Sequence, residues 1–258
     1  MHRNIVLTFG ILTYFVVATI ALSVFGASLL ASGIILFGFP TLFLARYSAA
    51  PQSVIMTVTA FGAGLALMLE TVGHFYGLWY IQSVPVLRLF GVVPLEVILV
   101  TFLKVLFVVL LYEMLFDDGQ YSRSNARTRF VSFGLFAVAA LFLLAAHYFV
   151  FQSVYEPTAY YWLSAILLLT SFAMVAVGRT LTLPLFDKVV NFAAVAAVPL
   201  LCADFLAAAN GYKQFMNILN PIMVPFTQVT LPLGEILLTL SIPIFVTTVY
   251  ELYLDDRS

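Results

Sequence analysis

The chain of 258 residues is 63% hydrophobic and 9% charged, with a mean hydropathy of +1.09, whereas a soluble domain carries about a quarter charged residues. Eleven Lys and Arg against twelve Asp and Glu leave a net charge of −1, which provides no basic field for nucleic acid. The single cysteine, Cys202, excludes a disulfide framework and a cysteine zinc site.

The expected solvent is therefore a lipid bilayer and the expected location a cell membrane crossed several times. A helix that crosses about 30 Å of hydrocarbon needs about 20 apolar residues. In chain order such windows fall at Ile5–Val24, Ala27–Ala45, Ser53–Val72, Val93–Phe116, Phe130–Phe151, Tyr160–Val177, Val189–Ala209 and Leu231–Leu254. The first runs past signal-peptide length with no convincing cleavage site and is read as a retained span. Placing both termini in the cytoplasm puts Arg3, Arg46, Arg123, Arg127, Arg129, Arg179, Lys188 and Arg257 inside, and only Arg88 and Lys213 outside. That bias is the one expected of short loops. Lys104 remains within a span.

The polar stretch Asp118–Thr128 divides the chain near its middle, and a duplication follows from the residues on either side. Val93–Gly119 aligns without a gap on Leu231–Arg257 at an offset of 138 residues. Pro94-Leu95 matches Pro232-Leu233, and Tyr112-Glu113-x3-Asp117-Asp118 matches Tyr250-Glu251-x3-Asp255-Asp256. The expectation is an all-α integral membrane protein of about eight transmembrane helices, built as two tandem four-helix repeats, 1–122 and 123–258.

Charge within a span costs at least about 2.5 to 3.5 kcal/mol on insertion scales, so intramembrane acids are the first candidates for function. Glu70, Glu96, Asp204 and Glu235 all fall at the external ends of their helices. Glu96 and Glu235 follow a proline at a helix start, where the dipole favours the ionised form and hydrocarbon the neutral one; plain helix capping remains the alternative. Glu113, Asp117, Asp118, Glu251, Asp255 and Asp256 gather at the other end, as solvated, salt-bridged or cation-holding groups. Lys104 is expected to pair with a carboxylate on another helix, or to snorkel. His74, four residues after Glu70, suggests either a proton relay or an interfacial polar cluster. Trp79 and Tyr80 are read as ligand-facing, and Tyr160, Tyr161 and Trp162 as an interfacial aromatic belt. His2, His74 and His147 show no metal-ligand spacing, and no nucleotide loop or nucleophile elbow is present, so neither a metal nor a cofactor is expected. What chemistry remains is proton transfer between carboxylates on an apolar substrate.

A Glu near the end of one span, the segment Gly77-Leu78-Trp79-Tyr80, and a Pro-Leu-Glu helix start in a duplicated four-helix architecture together resemble the integral-membrane lycopene cyclase domain family. The resemblance implies an enzyme that cyclises the ends of a lipophilic polyene, lycopene or a related carotenoid, with no net redox change. A P-x-E-E motif opens a helix in each domain of that family. This chain reads Pro94-Leu95-Glu96-Val97 and Pro232-Leu233-Gly234-Glu235, one acid in each copy. The implied acid and base are Glu96 and Glu235, assisted by Glu70 and Asp204, with Trp79, Tyr80, His74 and Lys104 binding substrate and Phe75, Tyr76, Tyr212 and Phe215 as weaker wall candidates. A carotenoid hydratase, a transporter and a carotenoid-binding protein are the rival readings, and the oligomeric state stays open.

Overall fold

A computed structural model of the chain describes residues 2–48, 52–75, 77–82, 87–89, 93–116, 158–177, 183–216, 220–224 and 227–251. The molecule is mostly helical. Helices α1 (His2–Phe25), α2 (Leu29–Gly33), a π turn (Ile34–Gly38), α3 (Phe39–Tyr47), α4 (Gln52–Phe75) and α5 (Leu95–Leu115) come first. Helices α6 (Ala159–Val177), α7 (Leu183–Ala209) and α8 (Leu233–Val249) follow. The expected span Phe130–Phe151, the link Asp118–Thr128 and the four Asp at 117, 118, 255 and 256 lie outside the described residues.

Among the described residues four helices are long and apolar enough to cross a membrane: Val6–Phe25, Leu29–Tyr47, Leu95–Leu115 and Asp187–Ala209. Val58–His74, Tyr160–Ala173 and Leu233–Val249 are shorter apolar stretches. α1 leaves Val6, Phe9, Val17, Val24 and Phe25 exposed, a face suited to lipid because all its backbone groups are satisfied within the helix. Its other face packs on α7, while α4 packs on α5 and α8 lies against α6 and α7.

Local chemistry explains the breaks between helices. Gly26 adopts φ +59 and turns the chain between α1 and α2, where the Ser28 side chain accepts a hydrogen bond from Ala31 N at 3.3 Å. Pro40 has no N–H to offer the Leu36 carbonyl, and the helix widens into the π turn immediately before it. Tyr14 donates to the Ile35 carbonyl inside that turn at 2.5 Å.

The segments after α4 and α7 follow one plan. Gly77 (φ +60) and Gly211 (φ +75) end the two helices in the left-handed conformation, with Leu78 N donating to Gly73 O and Tyr212 N to Ala207 O. Strands β1 (Trp79–Ile81) and β4 (Lys213–Phe215) then pair antiparallel, with Tyr80 opposite Gln214. Hairpins β2–β3 (Arg88–Leu89, Val93–Pro94) and β5–β6 (Pro221–Met223, Thr230–Pro232) lead into α5 and α8. Pro94 and Pro232 stand before those helices with nearly equal backbone angles. At the far ends of α5 and α8 the Tyr112 hydroxyl donates to Glu251, and the Tyr250 hydroxyl to Glu113 at 2.6 Å. Lys188 adds a 3.0 Å contact to Glu251.

Replacing Tyr250 by Phe removes the donor from Glu113 and is expected to cost about 1 kcal/mol. Tyr112→Phe costs less, because Glu251 keeps Lys188. Thermal unfolding of the two variants in detergent measures the difference.

Candidate functional site

Where α4, α5, α7 and α8 converge below the β1–β4 pair, a cavity of about 70 Å³ is enclosed. Its wall is apolar over Ala66, Leu69, Val105, Val108, Leu200, Leu238, Ile242 and Val246, and charged at Glu70, Lys104, Asp204, Lys213 and Glu235. The five charged groups are arranged as a cluster. Lys213 donates to Glu235 Oε1 and lies 3.6 Å from Asp204 Oδ1. Lys104 approaches the same Asp204 oxygen at 3.5 Å, and Thr239 donates to Asp204 Oδ2 at 3.0 Å. Trp79 Nε1–H donates to Glu70 Oε2 at 2.8 Å, and the Lys213 ammonium stands 4.6 Å from the centre of the Trp79 ring.

Lys213 reaches this depth because β4 pairs with β1 and turns the side chain inward. Burial presses its ammonium towards losing a proton, but the carboxylates of Asp204, Glu235 and Glu70 outweigh that effect and hold its pKa above the ordinary lysine value. Trp79 fits because Gly73 has no Cβ; an added carbon there would run into the indole.

Glu235 is 3% exposed, and its Oε2 has no hydrogen-bond partner among the described residues. Asp204, by contrast, is surrounded by donors. The fully buried Tyr160 stands beside Glu235, its ring 5.4 Å from that of Trp79. The Tyr160 ring also occupies the space that a Cβ on Gly234 would need. That contact accounts for glycine at the position where the first copy has Glu96.

Several expected site residues therefore meet: Glu70, Asp204, Glu235, Trp79 and Lys104 all line one cavity. Glu96 does not line it. It sits half-buried in the first turn of α5, one residue closer to its proline than Glu235 is to Pro232, and one residue turns a helical side chain by about 100°. The inward position of the first half is held by buried Val97. His74 does not line the cavity either: it binds Glu70 O through Nδ1 at 2.9 Å and faces the Ile81 N–H at 3.4 Å. Tyr80 is exposed and bound to Arg88. Trp79 is a wall residue, but Lys213 and Tyr160 occupy its surroundings. Tyr160 is a core residue rather than part of an interfacial belt, and Phe75 and Tyr76 carry no described side chain.

Lys213 and Thr239 are the site residues that sequence reasoning missed. Lys213 looks like an external loop charge by the topology rule. An offset of 134 residues, four fewer than the one relating α5 to α8, would have exposed it. That offset superposes Glu70 on Asp204, Gly77 on Gly211 and Trp79 on Lys213. Comparison of the chain with protein-family models, curated proteins and solved structures finds no match.

Gly234→Ala is expected to destabilise the protein by about 1 to 3 kcal/mol through overpacking. Combined with Tyr160→Ala the penalty should shrink, giving a coupling energy of at least about 0.5 kcal/mol in a double-mutant cycle of unfolding midpoints.

Proposed function

We propose that this chain is an eight-span, tandem-repeat membrane enzyme that cyclises the ends of a lipophilic polyene, as a lycopene cyclase does, using carboxylates and no cofactor. The tandem reading is supported by the equal geometry at Gly77 and Gly211, the equivalent proline starts of α5 and α8, and the reciprocal Tyr112–Glu251 and Tyr250–Glu113 bonds. Such reciprocity is what two like halves make about a two-fold axis.

The observation that carries the catalytic reading is Glu235, a buried acid with one oxygen unpartnered in an otherwise apolar cavity. We assign the transferable proton to that oxygen. Asp204 is held by two ammoniums and a hydroxyl and serves as a fixed negative charge; Glu70 accepts only the neutral indole N–H of Trp79 and is the freer base.

The steps follow from these roles. Glu235 protonates the terminal double bond of the polyene, leaving a tertiary carbocation. The next suitably placed double bond attacks it, a ring carbon–carbon bond forms, and the positive charge moves into the ring. Glu70 then removes a neighbouring ring proton and restores a double bond, so that one proton is added, one is lost, and no electron changes hands. With Glu235 neutral, the two lysines balance Glu70 and Asp204. Proton transfer leaves the cluster with one excess negative charge while the carbocation exists, and in a medium of low dielectric that charge is an effective counter-ion. Exclusion of water protects the cation from capture as an alcohol; a wetter cavity would make the same protein a hydratase.

Expression in a lycopene-accumulating bacterium is expected to yield cyclic carotenoid, identified by retention time and absorption. Glu235→Gln should lower product at least about a hundredfold at equal protein level, whereas Glu96→Gln should retain most of it. Unchanged lycopene beside well-expressed protein would overturn the reading, and proton or cation flux in proteoliposomes would then assign the ion-pair cluster to transport.

A further inference from the structure

The charged cavity has two smaller neighbours. One, of about 30 Å³, shares Glu70, Thr101, Lys104, Asp204 and Lys213 with it and adds Leu29, Val100, Ala207 and Tyr212. The other, of about 40 Å³, shares Leu29, Val100, Lys104, Ala207 and Tyr212 with the first neighbour and continues along α2 and the π turn to Ser32, Leu36 and Phe37. Lys104 is in the wall of all three. The sequence of cavities forms a slot between α2, α5 and α7 that opens into the charged chamber.

Three features point to an occupant. Ser32 is buried at 5% exposure and its hydroxyl has no partner among the described residues, although a helical serine ordinarily bonds the carbonyl one turn back. The Lys104 ammonium, 3.5 Å from Asp204, also stands 6.0 Å from the Phe37 ring, where the slot meets the chamber. From Leu29 to Phe37 the wall follows the helix for roughly 12 Å at about 1.5 Å per residue.

We propose that this slot is a second binding site, the seat of the unreacted conjugated chain of the substrate, with Lys104 as the gate between chain and reacting end. The inference rests on the cyclase reading of the chamber. A conjugated chain fits the wall chemistry because its π face accepts from the Ser32 hydroxyl and attracts the Lys104 ammonium. A saturated acyl tail offers neither interaction. The substrate class is thus a linear polyene longer than the portion that reacts.

The site is tested by binding, without catalysis. The full-length chain in detergent, carrying Trp162→Phe so that Trp79 is its one remaining tryptophan, is titrated with trans-parinaric acid, a linear conjugated tetraene that accepts energy from tryptophan. Saturable transfer is expected, displaced by lycopene but not by stearic acid. Ser32→Phe and Ala207→Phe, each filling the slot, should weaken probe binding about tenfold or more, the equivalent of about 1.4 kcal/mol, with unfolding midpoints close to that of the parent. Two separate substitutions guard against one that fails to fold. Unaltered affinity in folded variants, absence of saturable transfer, or equal displacement by stearic acid would each overturn the slot. Polyene binding without cyclisation would refute the catalytic reading and leave the slot; cyclisation of lycopene undiminished by both blocking substitutions would do the reverse.

Discussion

The structure depends on keeping five ionisable side chains inside an apolar bundle. A lone buried charge costs several kcal/mol even after relaxation, so Glu70, Lys104, Asp204, Lys213 and Glu235 are admissible only as a group. Lys213 is the member that makes them one: it touches Glu235, approaches Asp204, and covers the ring whose N–H holds Glu70. Much of the surrounding backbone follows from delivering that one lysine. It comes from a strand, so β4 must pair with β1. The strands can pair because α4 and α7 both end in left-handed glycines, Gly77 and Gly211, and because Gly73 leaves room for Trp79.

The apolar architecture is legible in the sequence because hydropathy reports the one requirement that every span shares. Individual acids are legible for the complementary reason, since a carboxylate in hydrocarbon is conspicuous; this singled out Glu70, Asp204 and Glu235. The failures have physical causes. Lys213 is hidden by a rule that treats a loop lysine as wet, which fails where a short strand folds the loop back into the bundle. Glu96 and Glu235 look interchangeable as letters after a proline, yet their difference of one position turns them to different sides of their helices. Tyr160 sits beside Trp162 in a segment with the composition of an interfacial belt. Only the packing against Gly234 distinguishes the buried ring from its exposed neighbour.

The two halves share a plan without sharing a site. Each supplies one acid one turn from a glycine helix end, Glu70 and Asp204, and each supplies a threonine to the chamber wall, Thr101 and Thr239. At the strand position the halves diverge into Trp79 and Lys213, and at the inward position of the first helical turn into Val97 and Glu235. Their fold is duplicated while their chemistry is divided: the first half contributes the freer base, and the second the proton and the cation that organises the cluster.

The contact between Tyr160 and Gly234 also limits how such a protein can change. A side chain at 234 needs the volume that the ring already fills, and a smaller residue at 160 opens a void beside a buried acid. Either substitution alone is penalised, so the two helix starts cannot be made alike through single tolerated steps. The division of labour between the halves is held in place by sterics, and the tyrosine acts as a ratchet against reverting to symmetry.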